Sequence, residues 1–397
     1  MTAQSDMETL ARARARLFAA RFSMLARRWW ATVSVLVFVA YAILLALVPF
    51  KHPSWNWDML AYLAVAQEDV AAGPAELHAL VYGQIHDAAS AADFAELTDG
   101  NEYRKHQAGN APDFASMLPM YRVKTLYIEA IRLLMPVTGP VMAMRWINAA
   151  SVLVLLGFVA AGLWKARAPA MAAPAAALLG LSGLAGYVQL GTPDVMSAAL
   201  LTGGLWFHLI RREVPAALLL GAAFFVRPDV LVFLAVAMAV AVALKDEAWG
   251  LFGAFVVALL SYGPLTHAAG HTGWWPHFWF SVVNYEPSMR DFHPAFSVLI
   301  YAKAVVRGLA RSVIEGGWPL LLGLAAGWAV LAGHFSARWT SREAAIAASC
   351  ALAIAAKFVL FPIYDGRLYF PLSVIPLLIL LGVTRRLVNM TSGGQTR

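Results

Sequence analysis

Residues 32–50 read TVSVLVFVAYAILLALVPF, a run without a charge, and residues 54–69, just beyond it, read SWNWDMLAYLAVAQED. As a helix rising about 1.5 Å per residue, the first stretch is long enough to cross about 30 Å of hydrocarbon. The second sets a carboxylate, Asp58, where that hydrocarbon ends, among Trp55, Trp57 and Tyr62. The same contrast recurs along the chain. Of 397 residues, 60% are hydrophobic and only 13% charged, against about a quarter charged in soluble domains. The chain therefore reads as an all-α polytopic membrane protein, and its net charge of +7 does not point to nucleic acid.

Hydropathy and helix breakers predict about ten spans, near 31–50, 140–163, 169–190, 195–210, 213–226, 228–244, 248–266, 317–334, 344–361 and 371–384. The basic stretch ARARARLFAARFSMLARRWW at 11–30 has no small-residue cleavage site after the first span, so it reads as a retained cytoplasmic segment. Alternation then puts Lys165, Arg167, Arg211, Arg212, Lys245, Arg338, Arg342, Arg385 and Arg386 on the cytoplasmic side, as the positive-inside rule asks. The expected organisation is a basic segment 1–30, one transmembrane domain 31–386 with outer loops 51–139 and 267–316, and a cytoplasmic tail 387–397. In the outer loops YRVKTLYIEAIRLLM (121–135) and FSVLIYAKAVVRGLARSVIE (296–315) have helical apolar spacing interrupted by cations, the pattern of helices lying on a membrane surface. Residues 84–113, polar and rich in Ala and Gly, predict a short amphipathic helix followed by a mobile loop.

The outer side also collects carboxylates. Asp58 and Tyr62 are four apart and share a helix face. Asp194 opens a span in QLGTPDVMSAALL, Arg227 and Asp229 stand in the tip RPD, and Asp365 and Arg367 in YDGRLYFP. A helix cap explains any one of these. It explains less well why four separate turns place them at one depth, two with an arginine. A cavity holding an anion beside a carboxylate accounts for both signs of charge. Transfer of a sugar from a lipid-linked phosphate suits such a cavity, with cations on the leaving phosphate and a carboxylate as base for the attacking hydroxyl.

In the order Asp-x-x-x-Tyr at 58–62, YRVKTLYIEAIRLLM leading to MRWINAASVLV, the outer Asp194, VRPD at 226–229 and GRLYFPLSVIPLL at 366–378, the chain resembles the membrane glycosyltransferases of the C-type (GT-C) fold. That group includes protein O-mannosyltransferases and aminoarabinose and other prenyl-phosphate-sugar transferases. The resemblance implies an inverting transferase of a bacterial inner membrane, its site facing the periplasm and both termini cytoplasmic. The donor would be a polyprenyl-phosphate sugar and the acceptor a glycan, lipid or protein. Asp58 would be the base and Asp194 a second acid orienting the acceptor or holding a divalent metal, the one cofactor left open. Tyr62, Arg122, Lys124, Arg227, Asp229, Arg367 and Tyr369 would bind substrate, with Arg122 and Lys124 interchangeable as phosphate ligands. Many members carry Asp-Glu at the base; here Met59 follows Asp58.

Two further readings compete: a lipid-linked-sugar flippase, which calls for charge at both membrane faces of a central route, and an inactive accessory protein. His267, His271, His277 and His293 lie in a loop rich in Trp and Tyr, where interfacial anchoring by aromatics is the default. Lys357, inside an apolar run, either snorkels outward or lines the cavity. The lone Cys350 reads as a small buried hydrophobe.

Overall fold

The computed structural model describes residues 28–335, 337 and 339–393. The expectations placed on residues 1–27, Arg338 and 394–397 lie outside the described residues. Among those described, the chain is helical, and the one β-type contact is an isolated bridge between Ser54 and Leu190.

A long apolar helix opens the described chain, α1 (Arg28–Lys51). The first outer segment follows as α2 (Trp57–Gln67), α3 (Pro74–Ala88), α4 (Ala91–Asp99), α5 (Glu102–Gly109), α6 (Ala111–Met117), α7 (Pro119–Arg122) and α8 (Thr125–Thr138). Then come α9 (Pro140–Lys165), α10 (Ala172–Leu181), α11 (Leu184–Gln189), α12 (Asp194–Leu209), α13 (Glu213–Val226), α14 (Val230–Ala243) and α15 (Trp249–Ala268). The second outer segment holds α16 (Trp274–Phe278) and α17 (Val298–Arg311), and the chain closes with α18 (Trp318–His334), α19 (Ser341–Leu360) and α20 (Phe370–Gly393).

Five described helices, α1, α9, α15, α19 and α20, are long and apolar enough to cross a membrane, and α17 with α18 makes a sixth if that bent pair is one span. The pair turns through 76° at Gly317, whose φ of +65° suits a residue without a side chain. α17 exposes Val298, Leu299, Val306 and Leu309, an apolar face in keeping with a helix lying along a membrane surface. The stretch expected as one span at 169–190 is instead broken. α10 ends at Leu181, Gly183 takes φ +82°, and α11 restarts at Leu184.

Residues 84–113 also depart from expectation, since no mobile loop follows the first helix. Three short helices are each started by a side chain that accepts a backbone N–H: Ser90 from Asp93, Asn101 from Arg104 and Asn110 from Asp113. Such caps satisfy orphan donors that a short helix would otherwise leave open. Their apolar residues, with those of α2, α7 and α8, build a core around Leu60, Leu63, Ile85, Phe114 and Tyr127. Between α9, α12 and α13 the backbones approach closely. A Cβ at Gly203 would collide with the Phe158 ring, and one at Gly204 with the Leu220 side chain, as in membrane helix pairs that meet through small residues.

Candidate active site

The four outer turns converge. Arg367 Nη1 lies 3.1 Å from Asp58 Oδ2 and 3.8 Å from Asp194 Oδ2, while its Nε is 2.7 Å from Asp365. Arg227 pairs with Asp194 and reaches Asp229 through Nε at 3.0 Å and Nη2 at 3.2 Å. Lys357 of α19 closes the chain, 2.7 Å from Asp229 and donating to the Leu368 carbonyl at 2.8 Å. Carboxylates and cations thus alternate from Asp365 and Asp58 through to Lys357.

Helix capping does not account for these acids. Asp194 and Asp58 sit in the first turns of α12 and α2, yet neither helix has a side-chain cap bond, and Asp229 at the start of α14 makes none either. Asp365 alone of the four accepts its own turn's N–H, from Arg367. The Asp58 oxygens go to Arg367 and to the Tyr121 hydroxyl, which donates to Oδ1 at 2.8 Å. Burial works against ionisation of Asp58, but the Arg367 guanidinium, the Tyr121 hydroxyl and Lys124 outweigh it and hold the carboxyl below its usual range. Asp58 is therefore an anion at neutral pH, and its side chain keeps 27% exposure where that of Asp194 keeps 4%. Of the two acids, Asp58 is the one an external hydroxyl can reach.

Beside the network lies a cleft of about 340 Å³, its open mouth included, lined by Asp194, Arg227, Asp229, Lys357 and Arg367 and walled by Leu201, Phe233 and Leu372. Lys124, on the first outer segment, is close enough to feel the charges of Arg227, Asp58 and Asp229, its ammonium donating to the Met120 carbonyl at 2.7 Å and lying 4.8 Å from the Tyr121 ring and 5.7 Å from Tyr62. Burial, then repulsion from Arg227, brings its pKa down to about 8.

Two expected substrate ligands lie elsewhere. Arg122 is bound by both Glu68 carboxylate oxygens, at 2.7 to 3.0 Å, so it is not interchangeable with Lys124. Tyr369 is buried, its ring 4.6 Å from Trp318 and its hydroxyl donating to the Phe361 carbonyl; it forms a floor 5.9 Å beneath Lys357. Tyr62 stays close, edge to face with Tyr121 at 5.1 Å. Tyr121 and Thr192, whose hydroxyl donates to Asp194 at 2.7 Å, are site residues that sequence reasoning missed. Their faint signals were proximity to Lys124 and to Asp194 in the sequence.

Asp194 is ringed by Thr192, Arg227 and Arg367, a cationic setting unsuited to a metal ion. Among the described residues no group of three or more His, Cys, Asp and Glu side chains is placed to hold one. Among the loop histidines, His271 accepts the Gly273 amide through Nδ1 at 3.1 Å, leaving Nε2 to donate to His277 Nδ1 at 3.2 Å. Burial lowers the pKa of both imidazoles, which are neutral at pH 7.

A second polar network lies at the other end of α12, about 21 Å away along its axis. Buried Arg342 binds Glu213 at 2.6 Å, Asp246 at 3.2 Å and the His208 carbonyl at 2.5 Å, and His208 Nδ1 faces Glu213 at 3.2 Å. Beside it is a cleft of about 250 Å³, its open mouth included, that shares one lining residue, Phe233, with the first. Arg342, by sequence one of the charges that set sidedness, is in the fold a buried ion-pair centre. Comparison with protein-family profiles, with curated proteins and with solved structures finds no match to this chain.

Proposed function

We propose that the protein is an inverting membrane glycosyltransferase that moves a sugar from a polyprenyl-phosphate donor to an acceptor hydroxyl. One observation carries this reading: Asp58, ionised and partly exposed, stands 3.1 Å from an arginine that also serves a cleft lined by Arg227 and Lys357. A base and an anion grip are thus adjacent at one end of a bundle of apolar helices. The acceptor oxygen attacks the anomeric carbon from the face opposite the phosphate. Its C–O bond forms as the sugar–phosphate C–O bond breaks, and its proton passes to an Asp58 oxygen. The bonding pair leaves with the prenyl phosphate, whose charge Arg227, Arg367, Lys357 and Lys124 neutralise. Asp194 holds the two arginines in position. About ten spans in a C-type arrangement, α10 with α11 counted as one, belong to the same proposal, as does a bacterial inner membrane with the site on the periplasmic side.

The test is release of prenyl phosphate from a radiolabelled prenyl-phosphate sugar by the purified protein. Asp58→Asn is expected to cut turnover about 10²- to 10⁴-fold, the range for loss of a general base, with folding intact. Near-normal turnover in that variant would remove Asp58 as the base.

A flippase is the second reading, favoured by the buried network at the far end of α12 and by Phe233 between the two clefts. It calls for movement of intact donor between leaflets with no prenyl phosphate released.

A further inference from the structure

Next to Asp58 lies a group of polar atoms that the protein itself does not satisfy. The indole N–H of Trp57, the hydroxyls of Tyr82, Tyr103 and Tyr127, and both amide ends of Asn56 are buried without a hydrogen-bond partner. Trp57 and Tyr82 are more than nine-tenths buried. Each such atom costs stability, and Phe in place of Tyr would remove the cost at nearly the same volume. Several orphans side by side call for an explanation beyond packing.

They are neighbours of one another and of the base. The Trp57 ring lies 5.2 Å from Tyr103 and 6.1 Å from Tyr121, the residue that donates to Asp58. Trp57 Nε1 faces the Tyr82 hydroxyl without completing a bond. The group offers aromatic faces, hydroxyls, an indole N–H and an amide, and the ionised groups beside Tyr121 are the Asp58 carboxylate and the Lys124 ammonium, opposed in sign. Aromatic faces receive the C–H surface of a sugar ring, while the edge groups exchange hydrogen bonds with its hydroxyls. An acceptor bearing its own carboxylate or phosphate would meet Asp58 as a like charge.

An irregular strap, residues 284–297, lies against this group. Tyr285 of the strap is exposed and lies 5.6 Å from Tyr103. Polar fastenings hold the strap to the first outer segment: Gln107 to the Pro287 carbonyl at 2.6 Å, the Met289 amide to Ser116 at 2.9 Å and Arg290 to Asp113 at 2.6 Å. Arg290 is more than half exposed, so its pair holds the strap weakly.

We propose that Asn56, Trp57, Tyr82 and Tyr103 form the acceptor subsite, and that the acceptor is a neutral, hydroxyl-rich carbohydrate admitted beneath the strap. This rests on the glycosyltransferase reading, and its test separates the two. The full chain in lipid nanodiscs is titrated with neutral methyl glycosides of hexoses and pentoses, with methyl glucuronoside and with N-acetylserinamide, and binding is followed by saturation-transfer NMR. A neutral glycoside binds best, and Tyr82→Phe and Tyr103→Phe each weaken it about tenfold without lowering Tm, since each removes an orphaned hydroxyl. The proposal is overturned if the anionic glycoside or the serine amide binds as tightly, if the Phe variants bind like the parent, or if no glycoside binds. Binding lost on Tyr103→Phe in a protein that releases no prenyl phosphate would keep the carbohydrate site and remove the transferase.

Discussion

Asp58 and Met59 are adjacent in sequence and about 100° apart around α2. Asp58 faces Arg367 and Tyr121, while Met59 is buried against the turn that carries Asp194: a Cβ on Gly191 would lie 2.8 Å from Met59 Cγ. A second carboxylate at 59 could not share the cavity with the first. Met59→Glu is expected to lower stability by about 3–5 kcal/mol, as an unpaired buried charge does, with a fall in Tm and no gain in donor turnover. Lys124 carries a pH prediction. Its folded pKa of about 8 lies below the ordinary lysine value, so the folded state gives up the proton first as pH rises. The Lys124 contribution to stability therefore grows above pH 8, while its charge, and with it the grip on phosphate, is lost. On the proposed function kcat/KM for the donor falls as pH rises through about 8, and Lys124→Arg, which stays charged, abolishes that limb.

At the scale of elements, legibility followed the strength of the local signal. Apolar runs such as 32–50 and 344–361 could form helices and do. The amphipathic spacing at 121–135 and 296–315 foretold α8 and α17. The break at Gly183 was not read, because hydropathy averages across a Ser-Gly pair that ends a helix. Neither were α4, α5 and α6, which are too short to show a clear period and begin at caps on Ser90, Asn101 and Asn110. The site was legible as charges at four helix breaks but not as pairs, since Arg367 and Asp58 are 309 residues apart. Close approach of α9, α12 and α13 depends on glycines on α12. Gly203→Val is expected to cost about 1–3 kcal/mol by overpacking against Phe158, seen as a lower Tm in detergent micelles.

Across the whole molecule, α12 joins two buried charge networks, Asp194 with Arg227 at one end and His208 near Glu213 and Arg342 at the other. At the His208 end acids accompany the bases: Arg342 pairs with Glu213 and Asp246, and Arg386 is 2.7 Å from Glu343. Phe233 is the residue that lines both clefts. On the proposed function the protein sits in a membrane that stores energy as a proton gradient, and there that ring would act as a piece of insulation between the clefts. Titratable groups line the cleft on either side of it, Asp194 and Lys357 in one and His208 and Asp246 in the other, and a leak of protons between them would drain the gradient. Phe233→Ala, reconstituted in liposomes with an entrapped pH dye, is expected to collapse an imposed pH difference faster than the parent protein. Equal rates would place the seal elsewhere along the clefts. The demands on position 233 are thus electrical: its side chain has to be bulky and uncharged whatever the two clefts bind.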